Sequence, residues 1–222
     1  MKKIIQKESL ADQAFNSIKD AIIAGRLAQE EELPEEKLAS DLGISRTPIR
    51  EALKRLAAEG LVNIHKAKPA TVASFTKDSA LHYMEIRKLL EIHNIEKNAD
   101  QLSDQVLYEL QNNLEGQLEA IESDDYNSFM DFDRAFHLQL ANIGGNVKLA
   151  ELISQMNTGV NRAFLFLSNT LPVSAKDAYL EHVNIVQALE KKEKNLAKQL
   201  MILHLDNVEK RFLHYYTGEE NK

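Results

Sequence analysis

The chain contains no cysteine and no tryptophan in its 222 residues. Without thiols there is no disulfide framework, no thiolate metal site and no cysteine nucleophile, so any bound metal must sit on His, Asp or Glu. No apolar run reaches the roughly 18 residues of a membrane helix, and the opening MKKIIQKESLADQ lacks the apolar centre of a secretory signal. A cytoplasmic protein with no membrane partner is expected. Only four prolines are present, against 44% hydrophobic residues, a composition suited to a packed, helix-rich core.

Positive charge is in deficit overall, with a formal net charge of −7, yet it is not deficient everywhere. Residues 1–75 hold 12 Lys and Arg against 11 Asp and Glu, whereas 76–222 hold 15 against 23. Within 43–68 the balance is six basic to two acidic. Such asymmetry suggests a nucleic-acid-binding end on a non-nucleic-acid body.

Apolar spacing predicts a helix near 9–24, with Gly25 as its stop signal, and a second from Pro34 to Gly43 with acidic residues in its first turn. In GISRTPIREALKRLAAEGLV, Ser45 is placed to cap a third helix and Gly60 to end it. That helix carries Ile49, Ala52, Leu53 and Leu56 inward and Arg46, Arg50 and Lys54 outward. LVNIH and TVASF read as two short strands around the tip KAKPA. Three helices and a two-stranded wing form the winged helix-turn-helix pattern. The arginine row would reach phosphates and guanine edges in a major groove, and Lys66 and Lys68 on the wing an adjacent backbone or minor groove. A merely solvated helix face is the alternative.

From residue 77 helical periodicity dominates, with helices expected near 77–101, 103–122, 125–142, 146–170, 174–190 and 194–216. The expected fold is therefore mainly α: a winged helix-turn-helix domain at 1–75 and an antiparallel six-helix bundle at 76–222. Ionisable residues fall on apolar stripes of that bundle. Asp133 and His137 lie one turn apart among Phe129, Phe136 and Leu140; His182 shares a face with Ile185, Val186 and Leu189; His204 lies on the row Leu196, Leu200, Val208. Burying such groups singly is costly. A divalent metal ion gives them a common purpose, zinc first, with Ni, Mn or Fe also suited; separately satisfied core histidines are the other reading. Arg87 and Glu91 read as a helix-surface or interdomain ion pair, with an effector-binding arginine as the alternative, and Arg162 follows the same logic. His65, His82, His93 and His214 fit no constellation.

The stretch LPEEKLASDLGISRTPIREALKRLAAEGLV resembles the N-terminal domain of GntR-type bacterial transcription factors, and DRAFH, EHVNIVQAL and HL resemble the FCD domain found C-terminal to it in the FadR subfamily. The six-helix count is closest to the VanR-like branch. The resemblance implies DNA contacts from Lys37, Arg46 and Arg50, with Ser45 and Thr47 in the same SRTPIREAL signature, and metal ligation by Asp133, His137, His182 and His204. It implies a homodimer on a palindromic operator in double-stranded DNA, controlled by a small organic acid bound at the metal through the two coordination positions those ligands leave open, with Arg87 or Arg162 able to hold a second anionic group. A metal-dependent hydrolase-like bundle fused to a DNA-binding module is the competing reading, weakened by the lack of a general base on a neighbouring turn.

Overall fold

A computed structural model describes residues 9–23, 26–74, 76–166 and 171–219, the side chains of 23, 162, 165, 166, 171–173, 215 and 217–219 excepted. The predicted stop at Gly25 lies outside these residues, as do positions 167–170 of the predicted fourth bundle helix. Two compact units divide the chain, Met1–Phe75 and Thr76–Lys222.

In the first unit, α1 (Leu10–Ile23), α2 (Glu35–Leu42) and α3 (Arg46–Ala58) enclose a core of Ala14, Ile18, Ile22, Ile49, Ala52, Leu53 and Leu56, all buried. Gly43 closes α2 at φ 66, with its N–H bonded to the Ala39 and Ser40 carbonyls, a left-handed cap that a side chain would strain. Ser45 occupies the N-cap of α3, but its hydroxyl makes no capping bond, so the predicted cap is positional only. The wing is larger than the expected hairpin. β2 (Val62–Asn63) and β3 (Ala70–Val72) pair antiparallel, and β1 (Glu32–Leu33) adds a third strand on the far edge of β3, in the order β1-β3-β2. At the wing tip Ala67 takes φ 60, a conformation glycine adopts freely and alanine adopts at a cost of about 1 kcal/mol.

The second unit contains α4 (Lys77–Asn98), a 3-10 turn at Ala99–Gln101, α5 (Asp104–Glu122), α6 (Tyr126–Ala141), α7 (Val147–Phe166), α8 (Leu171–Glu190) and α9 (Lys194–Glu219). Four start on clear caps: Thr76, Ser103, Asp125 and Asn146 each accept a bond from the backbone N–H three residues on. Helix α5 packs on α6 and α8, α4 on α7 and α9, and α8 on α9, around Ile95, Leu110, Phe136, Leu140, Ile185 and Met201. The buried row of α9 differs from the expected one. Leu196 is exposed, and the inward face runs Ala197, Met201, His204, Leu205, Val208 and Phe212. No helix of the described residues is long and apolar enough to cross a membrane.

Candidate metal centre and nucleic-acid interface

Helix α6 carries Asp133 and His137, α8 carries His182, and α9 carries His204, and the bundle brings all four side chains together. The three imidazoles are buried, and one ligand nitrogen from each lies within 4.8 Å of the others. His182 Nε2 stands 3.3 Å from His204 Nε2, while Asp133 Oδ1 is 3.7 Å from His182 Nε2 and 4.0 Å from His137 Nε2.

Hydrogen bonds at the opposite ring nitrogens fix the tautomers. His137 Nδ1 donates to Glu91 Oε2 at 2.5 Å and His204 Nδ1 to Glu181 Oε2 at 2.7 Å. His182 Nδ1 donates to Gln117 Oε1 at 2.9 Å. That amide is oriented in turn, because Gln117 Nε2 donates to Asn113 Oδ1 and Asn113 Nδ2 to the Phe132 carbonyl. With every Nδ1 protonated, the three Nε2 lone pairs converge with no proton between them, and His137 Nε2 has no hydrogen-bond partner among the described residues. Lone pairs 3.3 Å apart repel unless a cation lies between them. Donor atoms 3.3 Å apart suit two ligands of one small divalent ion, so the donor set fits such an ion.

The surrounding charges are paired. Arg87 Nε donates to Glu91 Oε1 at 2.7 Å, and Arg211 grips Glu181 with Nη1 and Nη2 at 2.8 and 2.9 Å. The Arg87–Glu91 pair is therefore not on the surface, as its i, i+4 spacing suggested; both side chains are 3% exposed. Burial lowers the imidazole pKa of His137, His182 and His204, keeping them neutral and fit to ligate. Burial also pushes the Asp133 carboxyl up to about 6, a tendency that Arg87 opposes. Arg211 and Glu181 hold the other balance: burial raises the Glu181 carboxyl, but bonds from His204 and Arg211 prevail and bring it to about 2.

On the Asp133 side of the cluster is a cavity of about 30 Å³, large enough for about two water-sized groups, bounded by Arg87, Asp133, Phe129, Phe164, Ser174 and Arg211. Arg87 Nη2 and Arg211 Nε are buried without a hydrogen-bond partner among the described residues. The side chain of Arg162 lies outside the described residues. Sequence reasoning missed Gln117, Glu181 and Arg211. One signal was available: the inward row of α5, Leu110, Asn113, Leu114, Gln117 and Ala120, carries two amides among apolar residues.

In the first unit Lys37, Ser45, Arg46, Thr47, Arg50, Lys54, Lys66 and Lys68 are all exposed. An open groove of about 560 Å³ runs between α3 and the wing, bordered by Arg46, Arg50, Lys54, His65 and Lys68. Lys37 reaches Glu31 at 3.9 Å. His65 bonds the Thr71 hydroxyl at 3.0 Å, while His82, His93 and His214 are exposed.

Both halves match known families. Residues 10–72 match the bacterial regulatory proteins of the gntR family, and residues 82–207 match the FCD domain. The chain is a GntR-family transcription regulator with an FCD domain. It is 28% identical to the HTH-type transcriptional regulator YdhC of Bacillus subtilis, over 88% of this chain and 87% of the relative. Against the HTH-type transcriptional repressor RspR of Escherichia coli it is 24% identical, over 88% and 86%. The structure of E. coli McbR/YncC superposes with a TM-score of 0.70 at 26% identity, covering 94% of this chain and 99% of that one. As a GntR-family regulator it binds DNA and carries a helical effector-binding domain, and with regulators as its relatives the enzyme reading is set aside.

Proposed function

We propose that this regulator acts as a cytoplasmic homodimer whose operator affinity is set by a small monocarboxylic acid bound beside a divalent metal held by Asp133, His137, His182 and His204. The observation that carries the reading is the convergence of three unprotonated Nε2 atoms next to a cavity bearing unpaired arginine N–H groups. When bound, the metal supplies a Lewis-acidic centre with coordination positions open to a carboxylate oxygen.

The charge balance narrows the effector. Glu91 neutralises Arg87 and Glu181 neutralises Arg211, leaving Asp133 as the unmatched charge of the cluster. A divalent ion beside one carboxylate leaves an excess of one positive charge in a dry interior, which a monoanion cancels and a dianion overshoots. Arg87 Nη2 and Arg211 Nε then act as hydrogen-bond donors to carboxylate or hydroxyl oxygens rather than as partners for a second anionic group.

On DNA, α3 enters the major groove with Arg46, Arg50, Ser45 and Thr47 toward base edges and phosphates. Lys37, Lys54, Lys66 and Lys68 add backbone contacts. A single winged helix buries too little surface for tight specific binding, so two copies on a palindrome are expected. Coupling between acid and operator of about 1–3 kcal/mol is the usual size, and it is reciprocal.

The experiment is elemental analysis of protein purified without chelator, followed by thermal melts with mono- and dicarboxylates of matched size, in the wild type and in His182→Ala. One divalent ion per chain, with stabilisation by a monocarboxylate that His182→Ala abolishes, is the expected result. Equal stabilisation of both proteins by the same acid would refute the metal-centred reading.

A further inference from the structure

The two arginines at the head of α3 are not free cations. Glu35, at the start of α2, accepts from Arg50 Nε at 2.9 Å and from Arg50 Nη2 at 2.6 Å. The same carboxylate accepts from Arg46 Nη2 at 3.2 Å and more weakly from its Nε at 3.4 Å, while Glu36 takes Arg46 Nη1 at 2.8 Å. The consequences for the two differ. All three nitrogens of Arg46 face acids. Arg50 is gripped only along its Nε–Nη2 side, so its end-on edge, formed by Nη1 and the outer Nη2 proton, has no partner among the described residues and borders the groove between α3 and the wing.

We infer that Glu35 is a specificity-determining positioning residue for DNA recognition: it holds the Arg50 guanidinium end-on for a base edge and cancels the charge that would otherwise bind any phosphate. The inference rests on the DNA-contact role proposed above for Arg46 and Arg50.

Two physical effects make up the device. An Arg fork reads the O6 and N7 of guanine through two parallel N–H bonds, and the Nη1–Nη2 edge serves as well as the side-on edge that Glu35 occupies. A guanidinium braced by a bidentate carboxylate loses less freedom on meeting the base than a free one, so the correct base gains most from the brace. The second effect opposes indiscriminate binding. Non-specific affinity comes from phosphates neutralised by mobile cations, with a salt slope of about 0.9 per phosphate, and two arginines matched by Glu35 and Glu36 contribute little to it.

The test compares two duplexes on full-length protein: one selected by the wild type from a randomised library and one of random sequence. Glu35→Gln keeps the side-chain shape and removes the charge. It should bind the random duplex several-fold more tightly, steepen its log K against log salt slope by about one unit, and lower the selected-to-random ratio about tenfold. Glu35→Asp keeps the charge but shortens the reach, so the salt slope should stay at the wild-type value while the ratio falls. Arg50→Ala separates the inference from the reading beneath it. Wild-type discrimination in Arg50→Ala would overturn both. Lost discrimination in Arg50→Ala, with an unchanged ratio and slope in Glu35→Gln, would overturn the role of Glu35 alone.

Discussion

Replacing Glu91 with Gln changes one atom, yet the geometry makes it a severe test of how the bundle core is held. Glu91 receives two donors, Arg87 Nε at Oε1 and His137 Nδ1 at Oε2, and its side chain is 3% exposed. Gln offers one acceptor oxygen, so its NH2 must face either the guanidinium or the imidazole N–H, and Arg87 loses its counter-charge in a dry interior. Removing one partner of a buried ion pair costs about 3–5 kcal/mol. For a chain of this length that corresponds to a fall of about 10 °C in the melting temperature of the metal-free protein. A separate loss should appear in metal binding, because removing the acceptor that orients a ligating histidine lowers affinity about 10- to 100-fold. The double variant Arg87→Met/Glu91→Leu splits the two effects. Apolar replacement of the whole pair should restore most of the lost stability, since such swaps are often neutral or favourable, but His137 still lacks its acceptor and metal affinity should remain low. The assay is a thermal melt with EDTA and a competitive metal titration on the same preparations. A Glu91→Gln protein melting within about 2 °C of wild type, or a double variant melting no higher than the single one, would refute the reasoning.

Other outcomes follow from single contacts. Gln117→Leu removes the acceptor of His182 Nδ1 and should weaken metal binding about 10- to 100-fold in the same titration. Gly43→Ala meets no atom within 4 Å yet must hold φ 66, so denaturant unfolding should show a loss of about 1–2 kcal/mol from conformation alone. Asp125→Ala deletes the cap of α6 and should cost about 1 kcal/mol by the same measurement. The Asp125 carboxyl is held below its ordinary value by the Ser128 hydroxyl and backbone N–H, so the folded pKa is the lower one. The cap's contribution should therefore be complete well above pH 4 and disappear as pH falls through the folded value; a wild-type-minus-Asp125→Ala difference that does not vary with acid would contradict this.

The sequence by itself determined the helices, because apolar residues at steps of three and four demand a buried stripe whatever the helix packs against. It also determined the arginine row of α3, where Arg46, Arg50 and Lys54 recur at a spacing that keeps them on one face. It marked Asp133, His137, His182 and His204 as misfits on apolar stripes, since a buried polar group needs a partner. It did not mark β1, because two residues, Glu32 and Leu33, carry no periodicity of their own and form a strand only where β3 offers an open edge. Whether the Arg87–Glu91 pair lay in water or in the core was equally undetermined: i, i+4 spacing is the same in both, and only the packing of α4 against α7 and α9 encloses it. The acceptors Glu91, Gln117 and Glu181 belong to three different helices, and a hydrogen bond between residues 46 or 65 positions apart leaves no pattern along a chain. The candidate ligands were thus legible in one dimension, whereas their tautomers, their neutrality and the direction of their lone pairs were decided only when the tertiary fold supplied the opposite ends of those bonds.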